Sequence, residues 1–212
     1  MMCRLAVLGG LGFILMAWLA QPGLAEVTEA DEHGFISVHK LHIKAPPARV
    51  FEALVEEIGL WWDPAHTYSG DAANLSFDCQ TRRCLKPTSG QSPGAEVDSW
   101  DNLVPRSRKL VALCEDSGDG LFVRHMTVDF VQPPQALRLS GGLGPLQPLG
   151  VAGSMTFDLE ETEAGTKLSY RYRVNGRDVA SWAEPVDRVQ LGQLERLRRY
   201  VEAGSAKPYS PD

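Results

Sequence analysis

Apolar and polar residues alternate from Lys40 to Lys44, after a more apolar start at Phe35, Ile36 and Val38. Phe35, His39, Leu41 and Ile43 share one face, and Lys40, His42 and Lys44 share the other. A period of two predicts a half-buried strand over 34–44. Ala45-Pro46-Pro47 then turns the chain. The spacing of Val50, Phe51, Leu54 and Ile58 predicts a short amphipathic helix. Pro47 suits its first turn, where a missing N–H costs nothing, and Gly59 marks its end. A short strand follows over 74–79. Residues 86–120 are rich in Ser, Gly, Pro and Asp without a long periodic segment. That stretch predicts a polar insertion or lid, holding at most a brief strand near 108–114.

Regular patterning returns with strands over 121–131 and 136–140. Residues 141–150 read as an apolar loop, with Leu143, Leu146 and Leu149 among glycines and prolines. Two further strands, 153–161 and 166–175, alternate strictly around the turn Glu163-Ala164-Gly165. The second places Leu168, Tyr170, Tyr172 and Val174 on its buried face. Residues 180–203 predict one long helix, with Ser181 and Glu184 as a capping box. Its apolar stripe is Val186, Val189, Leu194, Leu197 and Val201.

This order predicts an α+β helix-grip fold: a curved antiparallel sheet wrapped around a long C-terminal helix, with a short helix after the first strand. Only the last helix is long and apolar enough to cover the sheet's inner face. The domain runs over 34–204, after a flexible lead-in at 26–33 and before a tail at 205–212. A sheet gripping one helix, closed at one end by a short helix, tends to enclose a cavity.

Residues 1–25 carry Arg4, an apolar run from Leu5 to Ala20, and Gly23-Leu24-Ala25. This is the pattern of a cleaved signal peptide, and it predicts export to the periplasm or beyond, with no stable membrane anchor after processing. The chain has 21 Lys and Arg against 27 Asp and Glu, and its basic residues are scattered. A concentrated basic face is missing, so nucleic acid is not an expected partner. Cys79, Cys84 and Cys114 follow the leader. In an oxidising compartment Cys79 and Cys84 are the first choice of bridge, and Cys84 with Cys114 the second. The absence of Cys-x-x-Cys excludes a thioredoxin-type site.

Ile43 to Leu54, Trp61-Trp62, Val128-Asp129-Phe130 and Phe157 to Glu160 together resemble the START/Bet v 1-like (SRPBCC) superfamily. Within it they look most like the branch of polyketide cyclases and Hsp90-ATPase activators. The resemblance spans about 37–201, with a gap at the polar insertion. It implies a deep apolar cavity for lipids, polyketides or similar molecules. An exported chain departs from the cytosolic activators, because the chaperone and its ATP lie in another compartment.

The candidate ligand contacts gather beside the expected cavity mouth. Trp61 and Trp62 are adjacent, so one packs beneath the helix while the other faces the cavity. His66 and Tyr68 follow on a loop, beside the turn formers Asp63-Pro64 and Ser69-Gly70-Asp71. Tyr170 and Tyr172 offer hydroxyls at the end of apolar bodies, and His39 lies on the inward side of its strand. His125 reads as outward and Arg124 as inward, unless a bulge swaps them. No nucleophile elbow, phosphate loop or dinucleotide fingerprint occurs, and no three ligands stand at metal spacing. Neither a cofactor nor a metal is expected. These readings predict an exported protein that binds a hydrophobic or amphipathic small molecule. A cavity enzyme of cyclase, dehydratase or hydrolase type is the rival, and an activator-like interaction module the third reading. A buried histidine touching a carboxylate would point to the enzyme.

Overall fold

The structure is a computed structural model that describes residues 26–77 and 110–203. Eight strands form one antiparallel sheet: β1 (Glu26–Asp31), β2 (Gly34–Ile43), β3 (Leu75–Ser76), β4 (Ala112–Asp116), β5 (Phe122–Gln132), β6 (Ala136–Ser140), β7 (Ala152–Thr162) and β8 (Gly165–Asn175). Their order across the curved sheet is β1-β2-β8-β7-β6-β5-β4-β3. The helices are α1 (Pro47–Glu56), α2 (Ile58–Trp61) and α3 (Ala183–Ala203).

Local chemistry accounts for most of this. β2, β7 and β8 alternate as their sequences demand, and Leu41, Ile43, Leu159, Leu168, Tyr170 and Tyr172 face the core. The β7–β8 turn closes at Gly165, whose φ of +132° and approach to the Ile43 carbonyl exclude a side chain. α1 starts at Pro47 and buries Val50, Phe51, Ala53, Leu54 and Val55.

Several expectations need correction. Residues 26–31 are not a loose lead-in: they pair with β2 as an edge strand. The short helix therefore follows the second strand of the chain. Gly59 does not stop α1, which ends at Glu56; the glycine sits inside α2. It is needed there because a Cβ would meet the Ala72 carbonyl oxygen at 2.9 Å. The end of the supposed polar insertion is β4, which pairs with β3 on one side and β5 on the other. The apolar loop at 141–150 contains a 3-10 turn over Gly144–Leu149.

α3 differs most from its expected face. Its buried stripe is Ala183, Asp187, Gln190, Leu194, Leu197 and Val201, flanked by Gln193 and Tyr200. Val186 and Val189 are only partly buried. The first half of the helix thus turns polar side chains toward the sheet. Ser181 sits within a 3-10 turn, Ala180–Trp182, that leads into α3, and Val179 at its N-cap supplies no side-chain cap.

Cys114 is buried on β4. Cys79 and Cys84 lie outside the described residues, as do the leader segment and most of the stretch 86–120. No helix among the described residues is long and apolar enough to cross a membrane.

Candidate functional site

The loop after α2 is built by local hydrogen bonds and then clamped from two sides. Asp63 accepts from the Ala65 N–H and starts a 3-10 turn over Pro64–His66. α3 grips the same segment: Gln193 Oε1 accepts from the Asp63 N–H at 2.9 Å, and Arg196 Nε donates to the Trp61 carbonyl at 2.8 Å. On the other side Glu115, fully buried on β4, accepts from the Tyr68 N–H at 3.0 Å and from the Ser69 N–H. The Tyr68 hydroxyl reaches the Gly144 carbonyl at 3.2 Å, tying this loop to the 3-10 turn at 144–149.

Between these elements lies a cavity of about 310 Å3. Trp62, His66, Thr67 and Tyr68 form one wall. Leu113 and His125 come from the β4–β5 pair, and Leu143 and Pro145 from the following loop. Trp182, Val186, Val189 and Gln190 close it from α3 and its leading turn. A second, deeper space of about 20 Å3 shares Trp62, Leu113, Leu143 and Gln190 and runs toward Leu139, Met155 and Phe157. It has room for about one water molecule.

His125 is placed by a bulge. Leu113 pairs with Met126 and Cys114 with Arg124, so His125 is the extra residue of β5. His125 and Met126 are both buried and Arg124 is exposed. The bulge makes the swap that the sequence left open: His125 turns inward and Arg124 outward. Its Nε2 lies 3.2 Å from Glu115 Oε2, and Tyr68 stacks on the ring with centroids 5.8 Å apart. Burial pushes the His125 pKa down, and the Glu115 charge offsets only part of that. Burial also acts to raise the Glu115 pKa, but the Ser69 and Tyr68 N–H groups and His125 outweigh it and hold it below the usual value. An ionised Glu115 can only accept, so neutral His125 carries its proton on Nε2. Nδ1 then keeps a free lone pair, sealed from solvent and without a hydrogen-bond partner.

A second histidine–carboxylate pair lies deeper. His39 Nε2 is 3.1 Å from Asp187 Oδ1, and the Ser37 hydroxyl donates to the same oxygen at 2.6 Å. Tyr170 stacks on His39 at 5.8 Å, and its hydroxyl is buried and unpartnered. Burial lowers the His39 pKa against the pull of Asp187 and raises that of Tyr170 well above its ordinary value. This cluster fastens α3 to β2.

The candidate residues from the sequence therefore separate. Trp62, His66 and Tyr68 line the larger cavity. Trp61 is buried, donates from Nε1 to the Ala53 carbonyl at 2.8 Å and touches only the small deep space. His39, Tyr170 and Tyr172 are core residues that line neither space. Tyr172 bridges the loop at 141–143, accepting from the Leu143 N–H at 3.0 Å and donating to the Gly141 carbonyl at 3.1 Å. Sequence reasoning missed Glu115, Asp187, Gln190 and Trp182. A polar residue at a core position of the α3 period was the available signal for Asp187 and Gln190. Among the described residues no group of three His, Cys, Asp or Glu side chains could hold a metal.

No protein-family model matches this chain, and no curated protein does. Solved structures do. A conserved protein of unknown function from Enterococcus faecalis aligns over 90% of this chain and 82% of its own, at 13% identity and a TM-score of 0.50. A protein from Mesorhizobium loti aligns over 80% and 98%, at 15% identity and a TM-score of 0.48. DynU16, from the dynemicin biosynthetic locus, aligns over 84% of this chain and 50% of its own, at 19% identity and a TM-score of 0.46. At these identities the likeness concerns the fold alone.

Proposed function

We propose that this chain is an exported helix-grip protein of the START/Bet v 1-like kind that holds an amphipathic small molecule. The observation that carries this is the cavity between Trp62, the β4–β5 pair and α3, with two tryptophans and mainly apolar walls. Its volume of about 310 Å3 suits one small molecule better than a long lipid.

The test is native mass spectrometry of the mature protein purified from its host. A bound mass should be retained by the wild type. It should be lost in Val186→Trp, which fills the cavity, and in Trp62→Ala, which removes a wall. An empty wild-type protein that also fails to take up small aromatic probes would sink the reading.

The Glu115–His125 pair favours a second reading, a cavity enzyme of cyclase, dehydratase or hydrolase type using acid–base chemistry. Glu115 fixes the imidazole tautomer and leaves Nδ1 as the basic atom. A substrate would have to open the sealed side of that ring. Turnover abolished by His125→Gln, with ligand uptake retained, would select this reading over simple binding.

A further inference from the structure

Gln190 is only 4% exposed, yet its side-chain amide makes no hydrogen bond among the described residues. Three buried side-chain polar atoms are sealed and unpartnered among the described residues: His39 Nδ1, His125 Nδ1 and Tyr170 Oη. The Gln190 amide is not one of them, so it opens on the space that it lines. It stands where the larger cavity meets the deeper one. The next glutamine, Gln193, uses its Oε1 to accept from the Asp63 N–H. A buried amide that finds no partner in its own fold costs stability, and a ligand can supply the missing bonds.

The rest of the wall limits what that ligand can be. Among the described residues that line it, none is Lys, Arg, Asp or Glu. Glu115 lies behind His125 and is spent on it and on the loop. A carboxylate, phosphate or ammonium placed beside Gln190 would therefore be buried without a counter-charge. Trp62 and Trp182 both line the space and offer flat apolar surfaces.

We propose that Gln190 is the polar recognition group of this cavity, and that the ligand is flat, uncharged and presents an adjacent donor and acceptor, as a lactam or carboxamide edge does. The proposal rests on the small-molecule reading above and names the chemistry of that same site. A glutamine amide is both donor and acceptor, so it pairs with such an edge through two hydrogen bonds. A fatty acid does not suit the site, because its carboxylate would meet no cation.

Calorimetric titration of the mature protein tests this with three probes: quinolin-2-one, its N-methyl derivative and 1-naphthoate. The lactam should bind about tenfold more tightly than the N-methyl compound, whose donor is blocked. Naphthoate should bind no better than the N-methyl compound. In Gln190→Leu the preference should collapse while the N-methyl compound keeps its affinity, and that retained affinity reports an intact cavity. Equal binding of lactam and N-methyl compound by the wild type would overturn the role of Gln190 alone. So would a preference that survives in Gln190→Leu, or tighter binding of naphthoate. Failure of all three probes to bind would overturn both this proposal and the cavity reading beneath it.

Discussion

Glu115 Oε2 and His125 Nε2 lie 3.2 Å apart on neighbouring strands, and the same carboxylate holds the backbone of Tyr68 and Ser69. One buried charge thus positions the inner wall of the cavity and the loop that covers it. Glu115→Gln keeps the shape but replaces one acceptor oxygen by a donor, which must face either an N–H or the imidazole. We expect a loss of about 1–3 kcal/mol in urea unfolding. Hydrogen exchange at Tyr68 and Ser69 should accelerate more than the global loss explains. Unchanged exchange at those two amides would show that the loop is held by other contacts.

Acid should unfold the protein in two stages. The pKa of His39 and of His125 is lowered in the folded state, by burial first, from an unfolded value of 6.5. The groups facing them are Asp187, Ser37 and Tyr170 in one case, and Glu115 and Tyr68 in the other. As pH falls through 6.5 the unfolded chain gains protons that the folded chain resists, so stability falls. Glu115 has the opposite charge but the same sense: its pKa is lowered from 4.5, so its contribution is full above that value and is lost below it. Melting temperature should therefore drop between pH 7 and 5, and again below 4.5. His125→Gln, which cannot titrate, should show a shallower slope in the first window. A melting temperature that held or rose between pH 7 and 5 would refute this.

The two tyrosines of β8 make a matched pair. Tyr172 uses its hydroxyl twice, on the Leu143 N–H and the Gly141 carbonyl. The Tyr170 hydroxyl is equally buried and has no partner. Tyr172→Phe should cost about 1–3 kcal/mol, because two backbone groups lose their partner. Tyr170→Phe should be neutral or stabilising, because it removes a desolvated group and no hydrogen bond. Denaturant midpoints of the two variants check this directly, and equal losses would contradict it.

How far the sequence was legible follows from the same residues. β7, β8 and the second half of β2 were legible because each has one wet face and one dry face, and the period shows it. α1 was legible from Pro47 and the three apolar positions Val50, Phe51 and Leu54; Ile58 belongs to α2. β1 was hidden because 26–31 is an edge strand with acidic residues, a composition shared with loops. β4 was legible only as a brief strand near 108–114; its polar flanks displaced it from Ala112–Asp116, and Glu115 was missed. The first half of the α3 face was displaced by one residue, because Asp187 and Gln190 read as surface although the fold buries them against β2 and the cavity, while Leu194, Leu197 and Val201 are buried as expected. His125 needed the bulge, which is a pairing property between β4 and β5 and leaves no mark in the β5 sequence alone. The loop of Trp62, His66 and Tyr68 was legible as a place beside the cavity. Its wall from β4, β5 and α3 was not, since those residues meet only through long-range pairing.

The adjacent tryptophans give the last test, because they divide structure from binding within two residues. Trp61 is 2% exposed, sits in the core cluster and donates to the Ala53 carbonyl across the α1–α2 junction. Trp62 is half-buried, donates to the His66 carbonyl at 3.1 Å and shows its ring to the cavity. Trp61→Ala removes a packed ring and leaves a void, so it should cost about 3–5 kcal/mol. Trp62→Ala empties no sealed space and should cost nearer 1 kcal/mol. The order reverses for ligand. Trp62→Ala should abolish the response of the cavity to quinolin-2-one, whereas Trp61→Phe should keep it at a reduced melting temperature. If Trp62→Ala destabilised the fold as much as Trp61→Ala, both rings would be structural, and the loop from Trp62 to Tyr68 would lose its place as the ligand wall.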